Sequence, residues 1–167
     1  MIAENALIGE GTPYPLNGKK VLPDPTEGRV PAVVFVHGSG ASNMDEQIYS
    51  LTPFRDLAEG LAARGIASIR YDKRTFVYAR KMRGQSVTVK EETVEDAIRA
   101  AGLLRLDPRV DPDRIYIVGH SMGAMLARAS TRRAAISAVS SSWPGRRIGW
   151  RISSCGSSGR RPDPGAG

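Results

Sequence analysis

Cysteine occurs once in the 167 residues, at Cys155, so no disulfide can close within the chain. Histidine occurs twice, at His37 and His120. These few residues and scattered carboxylates give no cluster with metal-ligand spacing, and no metal is expected. No apolar run exceeds about five residues, far short of the ~20 that a spanning helix needs. The start, Met1-Ile2-Ala3-Glu4-Asn5, lacks the basic and apolar regions of a secretory leader. These absences together lead to the expectation of a cytoplasmic protein. Lysine and acid are nearly missing from the end of the chain. Residues 128–167 hold 8 arginines, no lysine and one acid, Asp163, whereas residues 1–127 hold 16 basic and 16 acidic side chains. The whole net charge of +7 therefore sits in the tail. An arginine tail can bind nucleic acid, but no aromatic stacking platform accompanies it, and neither a nucleic-acid nor a membrane partner is expected. The oligomeric state is left open.

What is present reads as one soluble α/β domain. Hydrophobic residues make up 41% and charged residues 25%, ordinary for a globular protein with one core. Residues 1–31 are punctuated by five prolines and are expected to be loop-rich, with short edge strands near 14–16 and 19–22. Residues 32–36, AVVFV, are apolar on both faces, as a central parallel strand requires. Thr52-Pro53 signals a helix start, with Phe54, Leu57, Ala58 and Leu61 as its apolar stripe and Gly65 as its stop. A second buried strand follows at 66–71. Residues 75–90 are basic and partly aromatic: a lid, a substrate loop or, the favoured reading, a solvated link. Residues 91–106 form an amphipathic helix with Val94, Ala97, Ile98, Ala101 and Leu104 inward, and Thr88 with Glu91 at capping-box spacing. Residues 115–118 are a third strand. No internal repeat occurs, and the order of elements gives one α/β layer sandwich.

Two stretches carry chemistry. Gly119-His120-Ser121-Met122-Gly123 is a G-x-S-x-G between an apolar run and a run of helix formers, the context of a nucleophile elbow. The glycines permit a turn too tight for side chains, and Ser121 stands on it with its hydroxyl exposed. A plain Gly/Ser turn between strand and helix is the alternative. His37-Gly38-Ser39-Gly40 follows the central strand, and glycines there can expose backbone N–H groups of the kind an oxyanion hole needs. A strand-ending turn is again the alternative. The same loop lacks the Lys-Ser/Thr of a phosphate-binding loop, and no organic cofactor is expected. On so tight a turn His120 should point away from the serine hydroxyl, packed or hydrogen-bonded rather than acting as a base.

Residues 33–40 (VVFVHGSG), 54–74, 87–107 and 111–126 (DPDRIYIVGHSMGAML), in this order and spacing, resemble the α/β-hydrolase superfamily. The similarity is to bacterial esterases related to the dienelactone-hydrolase, prolyl-oligopeptidase and serine-aminopeptidase-like branches, and it covers roughly residues 14–127. It implies a three-layer fold, a mostly parallel sheet with helices on both faces, of which only the N-terminal half is here. It implies hydrolysis of a small-molecule carboxylic ester through an acyl-enzyme, with peptidase or thioesterase chemistry as neighbours. Ser121 would be the nucleophile, and the N–H groups of Ser39 and Met122 the oxyanion donors. His37 would be a structural loop histidine, and Gly38, Gly40, Gly119, His120 and Gly123 the remaining motif positions.

The resemblance also implies a triad acid and histidine downstream of the serine. After Ser121 the sequence has Asp163 and no histidine, so a catalytically inactive fragment or pseudoenzyme is the second expectation. The domain bounds expected are 1–31 for the N-terminal segment, 32–133 for a partial hydrolase domain and 134–167 for a low-complexity, disordered tail. Residues 134–139 hold no strand long enough to continue the sheet, so one sheet edge is expected to lie open. Read one nucleotide out of register with GC-rich codons, the tail from Ala135 can spell a buried-strand run, a turn and an amphipathic segment. A frameshift near residues 127–134 followed by early termination is therefore expected.

Overall fold

The computed structural model describes residues 1–24, 28–84, 88 and 93–127, and the backbone of residues 137–140 and 152–153. The strands are β1 (Ile2–Ile8), β2 (Leu16–Leu22), β3 (Val30–Val36), β4 (Ala67–Tyr71), β5 (Val110–Gly119), β6 (Ser137–Ser140) and β7 (Ile152–Ser153). They form one sheet in the order β1-β2-β4-β3-β5-β6-β7. β4, β3, β5 and β6 run parallel, while β1, β2 and β7 pair antiparallel with their neighbours. The helices are α1 (Pro53–Ala62), the single turn α2 (Arg74–Val77) and α3 (Glu95–Leu106). Residues 122–127 are also helical.

β3 is buried along nearly its whole length because both faces are covered. Val33 and Phe35 face α1, where Phe35 stacks on Phe54 at 4.9 Å between centroids, with Ala58 and Ala62 beside them. Ala32, Val34 and Val36 face the other way, into a core with Ile69, Ile115, Ile117 and α3 residues Ala97, Ala100, Ala101 and Leu104. Truncating a core side chain such as Phe35 to alanine costs about 3–5 kcal/mol. Ala127 of the elbow helix joins the α3 face.

Several expectations change in detail. The N-terminal segment is a long hairpin rather than mainly loop. β1 pairs with β2 from Ile2↔Leu22 to Ile8↔Leu16, a ladder made by main-chain groups that need no apolar alternation. The buried row of α1 is Phe54, Ala58 and Ala62, with Leu57 half exposed, because the helix lays its i, i+4 ridge on the sheet. α3 begins at Glu95 instead of 91, and Glu91 lies outside the described residues. Ile98 is only half-buried and Ala100 takes its place inward.

The link after β4 is anchored and not merely solvated. Arg74 is buried and bidentate on Asp96, with bonds of 3.1 and 2.7 Å. The Tyr78 hydroxyl donates to the Pro15 carbonyl at 2.7 Å, and Met82 is buried. Beyond the elbow, four residues of backbone at Ser137–Ser140 pair with β5 from Tyr116↔Ser137 to Gly119↔Ser140. That edge is thus occupied, contrary to expectation, since a parallel ladder needs only main-chain donors and acceptors. Ile152–Ser153 in turn pair antiparallel with β6, and the remainder of the tail, where disorder was expected, lies outside the described residues.

Candidate active site

The C-terminal ends of β3 and β5 lie side by side, with Val36 paired to Gly119. The chain turns sharply after each. After β5, the His120 N–H donates to the Val36 carbonyl at 2.9 Å and the Gly123 N–H to the His120 carbonyl at 2.8 Å. Ser121 stands between them with φ of +50°, a left-handed conformation that only a firmly held turn imposes on a residue with a side chain. It is exposed, and residues 122–127 coil into the helix beneath it.

The glycines of this turn are dictated by space. A Cβ on Gly119 would lie 2.3 Å from the Gly123 carbonyl carbon and 2.4 Å from the Ala124 nitrogen. A Cβ on Gly123 would lie 2.3 Å from the Val36 carbonyl oxygen and 2.6 Å from that of His37. Backbone atoms cannot swing aside as side-chain ends can. β3, β5 and the elbow helix therefore meet at the distance that the missing side chains allow.

Met122 is the first helical residue, so its N–H belongs to the first turn and has no acceptor within the helix. Ser39 is exposed in the neighbouring loop, between buried Gly38 and exposed Gly40, whose φ is +90°. The two loops touch: a Cβ on Gly38 would lie 2.9 Å from His120 Nδ1.

Neither histidine is free. His37 is buried, with its ring 5.4 Å from those of Phe54 and of Tyr71, and its Nε2–H donates to the Asn43 carbonyl at 3.0 Å. Burial pulls its pKa down to about 4, against the opposing pull of the Glu46 charge and the Asn43 bond, so the ring is neutral at ordinary pH. The His120 side chain is half exposed, and its Nδ1–H donates to Glu46 Oε1 at 2.9 Å.

Residues that carry no motif complete the loop after β3. Glu46 is buried and also accepts the Gly38 N–H at 2.9 Å. Lys73 is buried, and its Nζ donates to the Gly38 and Gly40 carbonyls at 2.8 and 2.9 Å. Asp72 Oδ1 accepts the Met44 N–H at 2.8 Å, and Arg70 Nε donates to Asp45 Oδ1 at 2.7 Å. Burial pushes the Asp72 carboxyl above the usual range despite the Met44 bond. The sequence offered one signal for this set, the run Asp72-Lys73-Arg74 at the end of a buried strand.

A concavity of about 320 Å³ lined by Met1, Pro23, Asp24, Glu59, Ala62, Ala63 and Gly65 lies at the start of β4, the opposite end of the sheet from Ser121. Its lining has no nucleophile and takes no part in the site. Among the described residues, no group of three His, Cys, Asp or Glu side chains is placed to hold a metal, and no helix is long and apolar enough to cross a membrane.

The sequence model of the alpha/beta hydrolase family matches residues 33–166, four-fifths of the chain. The chain belongs to the alpha/beta hydrolase family. Esterase EstD of Thermotoga maritima is 47% identical over 111 residues, which are 66% of this chain and 26% of the esterase. The match thus spans about a quarter of the relative's length. Dienelactone hydrolase from Anabaena variabilis shares the hydrolase fold at a TM-score of 0.60 and 22% identity, over 80% of this chain and 58% of that one. A thermophilic esterase, Est2, from Thermogutta terrifontis superposes at a TM-score of 0.56 with 27% identity, over 75% of this chain and 42% of the other.

Proposed function

We propose that this chain carries the nucleophile and oxyanion hole of a serine hydrolase acting on small-molecule carboxylic esters. The observation that carries the reading is Ser121 at φ +50°, exposed on a turn whose two glycines leave no room for a Cβ. Similarity to the Thermotoga and Thermogutta esterases supports ester as the substrate class.

In the proposed reaction the Ser121 hydroxyl oxygen attacks the ester carbonyl carbon, its proton passes to a water molecule, and water returns a proton to the departing alkoxide. The carbonyl oxygen takes the negative charge and receives the N–H groups of Ser39 and Met122. Donors fixed before that charge develops stabilise the tetrahedral intermediate, and one such donor is worth on the order of 10²–10³ in rate. Expulsion of the alcohol leaves an acyl-enzyme on Ser121, which water hydrolyses.

A second reading is favoured by the burial of His37 on the Asn43 carbonyl and by the sequence after Ser121, which holds no histidine. Under it the chain binds esters but turns them over feebly. In serine hydrolases lacking their base, the oxyanion hole and binding still give on the order of 10³–10⁴ over water. Hydrolysis of a short-chain nitrophenyl ester by the protein and by Ser121→Ala separates the two. Turnover lost in the variant supports the first; equal background in both supports the second.

A further inference from the structure

Lys73 is 1% exposed, and its ammonium sits on the Gly38 and Gly40 carbonyls, one on each side of Ser39. A peptide unit is planar, and in its trans form the C=O and N–H point in opposite directions. The Gly38 carbonyl and the Ser39 N–H share one such plane. Holding the carbonyl on Lys73 therefore sets the direction of the Ser39 N–H and turns it away from the lysine. A cation on the carbonyl also polarises the peptide and strengthens its N–H as a donor.

The other side of Gly38 is held as well. Its N–H donates to Glu46 Oε1 at 2.9 Å, and the same oxygen accepts the Nδ1–H of His120, the residue before Ser121. Glu46 itself is kept at φ +50°, a strained conformation for a glutamate that places its carboxylate between the two loops. Gly38 fits because a Cβ there would crowd His120 Nδ1 at 2.9 Å and Glu46 Oε1 at 3.2 Å. The support comes from the end of a central strand. The Lys73 N–H donates to the Ser42 carbonyl at 3.0 Å, while Asp72 and Arg70 hold Met44 and Asp45. Sites carried on strands keep their geometry better than sites on free loops.

We propose that Lys73 and Glu46 are the positioning residues of the oxyanion hole, gripping the Gly38 peptide groups from both sides so that the Ser39 N–H meets the developing oxyanion. This rests on the assignment of Ser121 and Ser39 made above. The role is indirect: neither side chain touches the ester.

The test compares the protein with Lys73→Met, Lys73→Arg and Ser121→Ala. One readout is the ¹⁵N order parameter of the Ser39 amide, which follows the loop whatever Ser121 does. The other is the rate and KM of single-turnover acylation by p-nitrophenyl acetate. In Lys73→Met the Ser39 order parameter should fall from about 0.85 to below about 0.6. Acylation should slow by roughly ten- to a hundredfold with KM unchanged, the effect of misaligning one donor. Lys73→Arg, which keeps donors at the carbonyls, should recover most of that loss. Where Lys73→Met does not fold, Glu46→Ala releases the same peptide from its other end and should loosen Ser39 likewise. An unchanged Ser39 order parameter in a folded Lys73→Met or Glu46→Ala overturns the proposal, as does normal acylation with a loosened Ser39. Where the unsubstituted protein itself acylates no faster than Ser121→Ala, a loosened Ser39 in Lys73→Met keeps the clamp and removes the nucleophile assignment instead.

Discussion

Two loops meet over the ends of β3 and β5, and different physics holds each. The elbow, residues 119–123, is fixed by exclusion. Gly119 and Gly123 lie so close to backbone atoms that their absent Cβ atoms would fall 2.3 Å from them. The loop after β3 is fixed by attraction. Lys73 and Asp72 reach it from the end of β4, Glu46 and His37 fold back from within it, and all four bind its peptide groups. Exclusion by backbone is hard and local, whereas charged and polar side chains that hold a loop can shift by a few tenths of an ångström. The nucleophile should therefore tolerate less change than its oxyanion partner.

The largest effect should come from adding a methyl where backbone forbids it. Gly123→Ala should destabilise the protein by on the order of 4 kcal/mol or more, in the range reserved for strain and overpacking in a core. The urea midpoint measures this, and a variant of near-normal stability would remove the steric half of the contrast.

The same difference explains what could be read in the sequence. G-x-S-x-G lies within five consecutive residues, and its flanking strand and helix formers are adjacent to it, so the elbow was visible as a unit. The apolar runs of β3, β4 and β5 likewise announced a parallel core. Glu46 and Lys73 carry no such mark. They are separated from Gly38 by 8 and 35 residues, and only the folded sheet brings them together. β1 stayed hidden because an edge strand held by main-chain pairing needs no apolar period. Its Glu4, unremarkable in the sequence, is bidentate on Arg109 at 2.7 and 2.8 Å, which holds its carboxyl at about 2. Arg74 has no mark in the sequence beyond closing the charged run Asp72-Lys73-Arg74 after the second strand, yet it is buried on Asp96.

A smaller effect should appear with pH on the loop after β3. An unfolded His37 protonates near 6.5, but the buried ring resists protonation until about 4. Between those values the unfolded chain holds the extra proton. Stability is therefore full above about pH 6.5 and declines as pH falls towards 4, by on the order of 3 kcal/mol from this group. His37→Phe should flatten that limb of a stability–pH curve. An equally steep limb in the variant would assign the decline to other groups.

The smallest effect is expected for Gly38→Ala. Its new Cβ meets only the ends of His120 and Glu46, which can move, so a loss of about 1 kcal/mol is expected, measured by the same urea midpoint. Equal losses at Gly38 and Gly123 would erase the distinction between the two loops.

The most direct test of the nucleophile is prolonged exposure to a fluorophosphonate, followed by intact mass and peptide mapping. One adduct per chain, located on Ser121 and absent from Ser121→Ala, is the expected result. No adduct on the folded protein, or the same adduct on Ser121→Ala, would contradict the assignment of Ser121 as the nucleophile.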